Sequence, residues 1–276
     1  MALRLDLFWK ELVLFGLTLL IGVFSTYSNI KLLEKSIIQS ADFSWDSIVI
    51  SLAFFTILLL LTLRFKRLSS ISFKFFLLLV VFSGSQIVMG SAVSSPWDIV
   101  LALIVALVFL MIHNVLVHNI AIMLGIAGVS SILGITISPE IGIILLVVLS
   151  FYDILAVYWT KHMVYLAKGM IENGAIFGFI IPFDIKDIFY HKTDAKHKIG
   201  EKFMILGSGD IGLPLIMASS VAVISIKSGV IVSLFAIGGL FLTHFIFVNQ
   251  RTRKPMAALP PIATLTIVGY LVSQLL

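Results

Sequence analysis

Nine apolar runs, most of them close to the length of a membrane-spanning helix, alternate with shorter polar segments along the chain. A transmembrane α-helix needs about 20 mostly apolar residues to cross the hydrocarbon core of a bilayer. We therefore predict nine transmembrane helices. They cover residues 8–26, 47–64, 72–91, 97–113, 117–136, 139–160, 203–224, 229–248 and 257–275.

The composition agrees with this pattern and rules out a soluble globular domain. Of 276 residues, 60% are hydrophobic and only 12% are charged, with a mean hydropathy of +1.14. Soluble proteins carry about twice that share of charged residues. The chain is thus an all-α, polytopic integral membrane protein, which in a prokaryotic cell would lie in the plasma membrane. It has no cysteine, which excludes disulfides and thiolate chemistry.

The distribution of positive charge predicts the orientation of the spans. With nine spans and a cytoplasmic N-terminus, all but three of the 19 Lys and Arg residues fall in cytoplasmic segments. The three exceptions are Lys31, Lys35 and Lys227. Because cytoplasmic loops are enriched in Lys and Arg, we expect the N-terminus inside and the C-terminus outside.

The long polar stretch divides the chain into three parts. Residues 1–160 form a six-helix part, residues 161–202 a cytoplasmic loop, and residues 203–276 a three-helix part. Within the loop, residues 162–172 are expected to form an amphipathic surface helix. Residues 174–183, rich in β-branched and aromatic side chains, are expected to form a strand.

Two acidic residues stand apart from the other 12. Asp153 and Asp210 fall well inside apolar runs, whereas the rest lie near span ends or in the loop. Each is eight residues from the loop's outermost lysine, which in a helix corresponds to a depth of roughly 12 Å. We expect the two carboxylates to face each other, with Gly207 and Gly209 allowing the helices to approach closely.

Ionisable groups at such depth are costly and indicate function. Two facing carboxylates share a proton, so that one can activate a water molecule while the other protonates the carbonyl oxygen or the leaving amine. The alternative is that each is an isolated polar residue bonded to neighbouring helices. Pro214, four residues after Asp210, is expected to kink the seventh span.

Three motifs resemble those of the intramembrane aspartyl proteases, the family of presenilin, signal peptide peptidase and their archaeal homologues. Tyr152 and Asp153 match its Tyr-Asp motif, and Gly207–Asp210 match its Gly-x-Gly-Asp motif, with Ser208 as the variable residue. Ala258, Leu259 and Pro260 match part of its Pro-Ala-Leu motif, although Ala257 replaces the first proline.

The resemblance implies hydrolysis of peptide bonds in single-span transmembrane helices, with Asp153 and Asp210 as the catalytic pair. Leu259 and Pro260 would help to shape the site. A helical substrate must unwind before attack, and its freed backbone groups then need new partners. We expect the strand at Ile176–Ile181, with the extended segment Ala257–Pro261, to supply them by strand addition.

Two other functions use the same features. A proton- or cation-coupled transporter or channel also needs paired intramembrane carboxylates, although no internal repeat is visible. A non-catalytic chaperone would bind helices in the same pocket. The expected partners are transmembrane substrates and the lipid bilayer, not nucleic acid, and a homo-oligomer is left open. No cofactor or metal is expected, since His113 and His118 fit an interfacial role and His244 a hydrogen bond to a neighbour.

Overall fold

A computed structural model describes residues 4–35, 66–192, 195, 198–250 and 255–275. The predicted span at 47–64 lies outside these residues. The helices and strands are α1 (Leu5–Lys35), α2 (Lys66–Gly90), α3 (Trp97–Met111), α4 (Val115–Thr136), α5 (Pro139–Ile154), α6 (His162–Glu172), β1 (Gly178–Pro182), β2 (Phe203–Gly207), α7 (Ser208–Ile224), α8 (Ile226–Val248) and α9 (Leu259–Ser273).

The described part of the chain is mostly helical, as an integral multi-pass membrane protein requires. Helices α1, α2, α4 and α8, and α5 with the π-helical turn that continues it to Trp159, are long and apolar enough to cross a membrane. Helices α3, α7 and α9 are shorter and apolar. The total of nine spans and the orientation of the termini stay predictions.

The predicted start of the seventh span, at residue 203, is wrong. Residues 203–207 form strand β2, and helix α7 begins only at Ser208. The apolar side chains of this segment pack in a sheet because its backbone pairs with β1. Pro214 lies inside α7, which continues to Ile224.

Helix α4 lies at the centre of the bundle and contacts α1, α2 and α7. Its closest approach is to α2, where Gly84 lies directly against the backbone of Gly125 and Gly128. A side chain at Gly84 or Gly128 would collide with the facing main chain, and one at Gly125 would lie only 3.3 Å from the carbonyl oxygen of Val80. Small residues therefore set the distance between these helices.

Two pairs of polar side chains join helices inside the bundle. His244 Nδ1 on α8 lies 2.9 Å from Oε1 of Glu11 on α1, and both residues are buried. The hydrogen bond expected for His244 is present. Glu11 was placed near the interface by its sequence position, but it is only 2% exposed. Thr26 and Ser219 form a second buried hydrogen bond between helices, of 2.9 Å.

The polar loop folds against the bundle. Helix α6 has the predicted bounds, and β1 occupies five residues of the predicted strand. Strands β1 and β2 form an antiparallel pair, from Gly178 opposite Gly207 to Pro182 opposite Phe203. All five residues of β1 are buried, so the loop is an integral layer of the fold.

Several chain connections meet at the same end of the bundle as this loop. Lys10 Nζ, near the start of α1, donates to the carbonyl oxygens of Pro182 and Phe183 at 3.1 and 2.7 Å. The backbone N–H of Lys192 donates to the carbonyl of His113, between α3 and α4, at 2.7 Å. The predicted alternation of the spans places these segments on one side of the membrane, and in the structure they contact one another.

Candidate active site

Asp153 lies near the end of α5, just before the helix widens into the π-helical turn Leu155–Trp159. The residue is 5% exposed. Its Oδ2 accepts a hydrogen bond from the backbone N–H of Leu259 at 3.3 Å. Leu259 is the first residue of α9, whose N–H has no acceptor within its own helix. A carboxylate also interacts favourably with the positive end of a helix, so Asp153 ties α5 to the start of α9.

Asp210 lies in the first turn of α7, directly after strand β2. It is partly buried. An acid at this third helical position can reach back toward the residue before the helix, which here is Gly207. A β-carbon added at Gly207 would lie 3.1 Å from Oδ2 of Asp210. Glycine at this position thus leaves room for the carboxylate.

The two aspartates line one cavity of about 150 Å³. Its walls come from α5, α6, α7 and α9 and are almost entirely apolar apart from the two carboxylates. The lining residues are Leu149, Tyr152, Asp153, Met163, Gly209, Asp210, Leu213 and Leu259. None of them carries a positive charge. The cavity can hold several water molecules.

The structure places the remaining motif residues around this cavity in different ways. Tyr152 is 53% exposed and lines the wall beside Asp153. Ser208 begins α7, and its N–H donates to the carbonyl of Phe177 at 3.3 Å. Ala258 precedes α9 and accepts a hydrogen bond from Thr243 Oγ1 at 3.3 Å. Pro260 is the second residue of α9 and does not line the cavity.

Two details of the expected geometry are wrong. The equal depth of the aspartates was derived for two continuous helices, but the five residues before α7 form a strand. The carboxylates share a cavity because α7 begins there, not because they lie at matching heights in two spans. Gly209 does not mediate close helix packing either, since nothing lies within 4 Å of a β-carbon added there.

Sequence reasoning missed the residues that hold the sheet in place. Asn119 on α4 accepts from the N–H of Ile180 and donates to its carbonyl, both at 2.8 Å. Its neighbour His118 is buried inside the protein, and its Nε2 lies 3.0 Å from the carbonyl oxygen of Gly178. The sequence feature that could have indicated these residues is the polar pair His118-Asn119 within an apolar run.

These contacts also determine which edge of the sheet is open. Ile180 directs its N–H and C=O to Asn119, so its opposite residue, Ile205, must direct its own away from β1. The outer edge of β1 is thus occupied by α4 side chains. On the outer side of β2, the backbone groups of Phe203 are bonded to Lys198 and Gly200. The outward N–H and C=O of Ile205 have no backbone partner in the described part of the chain, and they lie two residues before Gly207, against which the Asp210 carboxylate lies.

The fold and this cavity define a polytopic helical membrane protein with two carboxylates brought together near the ends of two helices. Such an arrangement has the composition of an aspartyl protease site embedded in a membrane. The family model described as "Signal-peptide peptidase, presenilin aspartyl protease" matches residues 47–276. The chain belongs to this family.

Two solved structures share the fold, both described as a presenilin family intramembrane aspartate protease. The one in space group C222 is 23% identical, covers 94% of each chain and has a TM-score of 0.59. The one in space group P2 is 24% identical and covers 94% of this chain and 96% of the other, with a TM-score of 0.57. Among curated protein sequences, none matches the chain.

Proposed function

We propose that this protein is an intramembrane endopeptidase that hydrolyses peptide bonds of single-span transmembrane proteins, with Asp153 and Asp210 as the catalytic pair. The observation that carries the proposal is the shared apolar cavity in which the two carboxylates are the only charged groups. Family membership supports the reaction type. An intramembrane position in a multi-pass protein supports the substrate class.

The chemistry needs one proton shared by the pair. The ionised aspartate takes a proton from a water molecule while the water oxygen adds to the scissile carbonyl carbon. The protonated aspartate gives its proton to the carbonyl oxygen, which yields a tetrahedral diol. The C–N bond then breaks as the amine nitrogen receives the proton of one aspartate and a hydroxyl group of the diol gives its proton to the other, and a carboxylic acid and an amine leave. The pair ends with the single proton with which it began.

The residues around the pair position it. The Leu259 N–H holds Asp153 at the start of α9, and Gly207 leaves space for Asp210. Tyr152 and Met163 complete an apolar wall that limits water to the immediate site. Water-poor surroundings strengthen the electrostatic interactions on which the reaction depends.

The substrate is proposed to bind as an added strand on the open edge of β2. A substrate helix must lose its i→i−4 hydrogen bonds before the pair can attack a peptide bond, and the freed backbone groups then need new partners. The outward N–H and C=O of Ile205 offer replacement partners. Because β2 runs directly into α7, a strand bound there is led toward Asp210.

The first experiment measures cleavage of a single-span model substrate in proteoliposomes by the purified protein, Asp153→Asn and Asp210→Asn. Removing a general acid or base typically reduces the rate by 10²–10⁴-fold, and both variants should lose at least that much. Glu140→Gln, an exposed acid at the other end of α5, serves as the matched control and should cleave normally. Full activity in either aspartate variant would contradict the proposed pair.

A second experiment tests the binding edge. Ile205→Pro removes an N–H that faces away from β1, and proline is tolerated on open strand edges. The variant should keep its melting temperature and lose cleavage through a raised KM. Ile181→Pro is the contrasting variant, since that N–H faces β2 and its loss should destabilise the sheet itself. A folded Ile205→Pro protein with normal KM would refute binding along this edge.

A further inference from the structure

A larger cavity, of about 430 Å³, lies at the end of the bundle where the loop docks. Its walls combine the start of α2, the connection between α3 and α4, and both ends of the loop. The lining residues are Lys74, Leu77, Phe109, Leu110, Ile112, His113, Asn114, His118, Glu172, Asn173, Gly174, Ile176 and Lys192. None of them lines the aspartate cavity.

Positive charge dominates this cavity. Lys74 and Lys192 both line it, whereas Glu172 is its only acid. Burial and the nearby charge of Lys74 lower the pKa of Lys192 to about 8. Among the described residues, ion pairs within 4.0 Å are Lys202–Asp187 and Glu11–His244, so neither cavity lysine has a carboxylate partner.

One further feature favours an anion. Asn114 is the N-cap of α4 and lines the cavity, so the positive end of that helix lies at its wall. His118 is buried in the same wall, and its Nε2 lies 3.0 Å from the carbonyl oxygen of Gly178. In a neutral imidazole this nitrogen carries the proton, so Nδ1 is an acceptor and does not contribute to anion binding. The two lysines and the helix end give the cavity its positive potential.

The surroundings of the cavity are apolar and face outward. Leu110 and Ile112 line it and are 49% and 46% exposed, and Met111 between them is 77% exposed. These side chains belong to the end of a membrane-spanning helix. A ligand with a charged head in the cavity can therefore lay an acyl chain against the outer surface of the protein.

We propose that this cavity binds a phosphate group between Lys74 and Lys192, supplied by the headgroup of an anionic membrane lipid or by phosphate in solution. Exposed apolar residues beside the opening favour the lipid. An occupant would contact α2, the start of α4 and the loop at once. It would thereby hold the loop that carries β1 against the bundle, through the Lys192–His113 backbone bond and the stacked rings of His113 and His191.

The test measures lipid binding to the full-length protein in an uncharged detergent, with native mass spectrometry as the readout. Dioleoyl phosphatidylglycerol, dioleoyl phosphatidylcholine and inorganic phosphate are titrated separately. Near a membrane surface, one lysine changes the affinity for an anionic lipid about fivefold. We expect Lys74→Gln and Lys192→Gln each to weaken phosphatidylglycerol binding by about that factor, and Glu172→Gln to strengthen it.

Lys186→Gln is the matched control, since this exposed lysine lies in the same loop outside the cavity. It should leave binding unchanged. Circular dichroism and gel filtration establish that the variants are folded, and exposed Lys74 provides a substitution with little structural risk.

Lysine-dependent binding of phosphatidylglycerol without binding of inorganic phosphate identifies a lipid site. The same lysine dependence with inorganic phosphate alone identifies a site for soluble phosphate. The proposal is overturned if Lys74→Gln and Lys192→Gln bind phosphatidylglycerol as tightly as Lys186→Gln does. It is also overturned if phosphatidylcholine binds as tightly as phosphatidylglycerol.

Discussion

Asn119 makes two of the hydrogen bonds that attach the loop sheet to the bundle. The side-chain amide of Asn119 bonds to both the backbone N–H and the backbone C=O of Ile180, each at 2.8 Å, and Ile180 has no exposed surface. Asn119→Ala leaves a buried N–H and a buried C=O without partners. Each costs about 1–3 kcal/mol, so strand β1 should lose about 2–6 kcal/mol of local stability.

Hydrogen exchange measures this loss directly. Even the lower limit of about 2 kcal/mol corresponds to roughly thirtyfold faster exchange of the Ile180 amide. Cleavage of a model substrate should fall in parallel, because β1 supports β2. Asn249→Ala removes an exposed amide that bonds to Phe245 and should change neither quantity. Unchanged protection of Ile180 in the Asn119→Ala protein would show that these two bonds do not hold the strand.

Three further substitutions probe the packing and the site. Removing one partner of the buried Glu11–His244 pair should cost about 3–5 kcal/mol, whereas replacing both with apolar residues should restore most of the melting temperature. Gly84→Ala forces α2 away from α4 and should cost about 2 kcal/mol in denaturant unfolding. Gly207→Ala should keep the fold but displace the Asp210 carboxylate and lower kcat roughly ten- to a hundredfold. Gly16→Ala on α1, where a β-carbon meets open space outside the aspartate cavity, is the control for both glycine variants, and an equal loss there would contradict the reasoning.

The sequence was most informative where a residue contradicted its surroundings. Asp153 and Asp210 stand out because placing a carboxylate within an apolar run in a membrane costs free energy. The structure brings both to one cavity, as expected. Their catalytic role stays a prediction that the cleavage experiment tests. The amphipathic helix at 162–172 was equally readable, since its periodicity is a local property.

Non-local pairing was harder to predict. Residues 203–207 are apolar and precede a long apolar helix, so composition alone extends the helix through them. They form a strand because β1, some 25 residues earlier, supplies their hydrogen bonds. The buried bond between Glu11 and His244 joins residues 233 positions apart, and no local pattern indicates it.

Substrate addition to the strand at Ile176–Ile181 was expected from the sequence, but the outer edge of β1 is occupied by side chains of α4. This error also comes from non-local contacts. Pattern analysis located β1 but could not show that α4 side chains 60 residues away already occupy its outer edge. Because that edge is occupied, the backbone groups that can bind a further strand belong to β2, which continues directly into α7 and Asp210. This continuity has a mechanistic consequence. A peptide that exchanges its helical hydrogen bonds for those of β2 is extended, and the same uninterrupted segment of chain directs it toward the carboxylate of Asp210. Unwinding and alignment would then be a single binding event, which explains why the acid lies at the start of a helix and not in its middle.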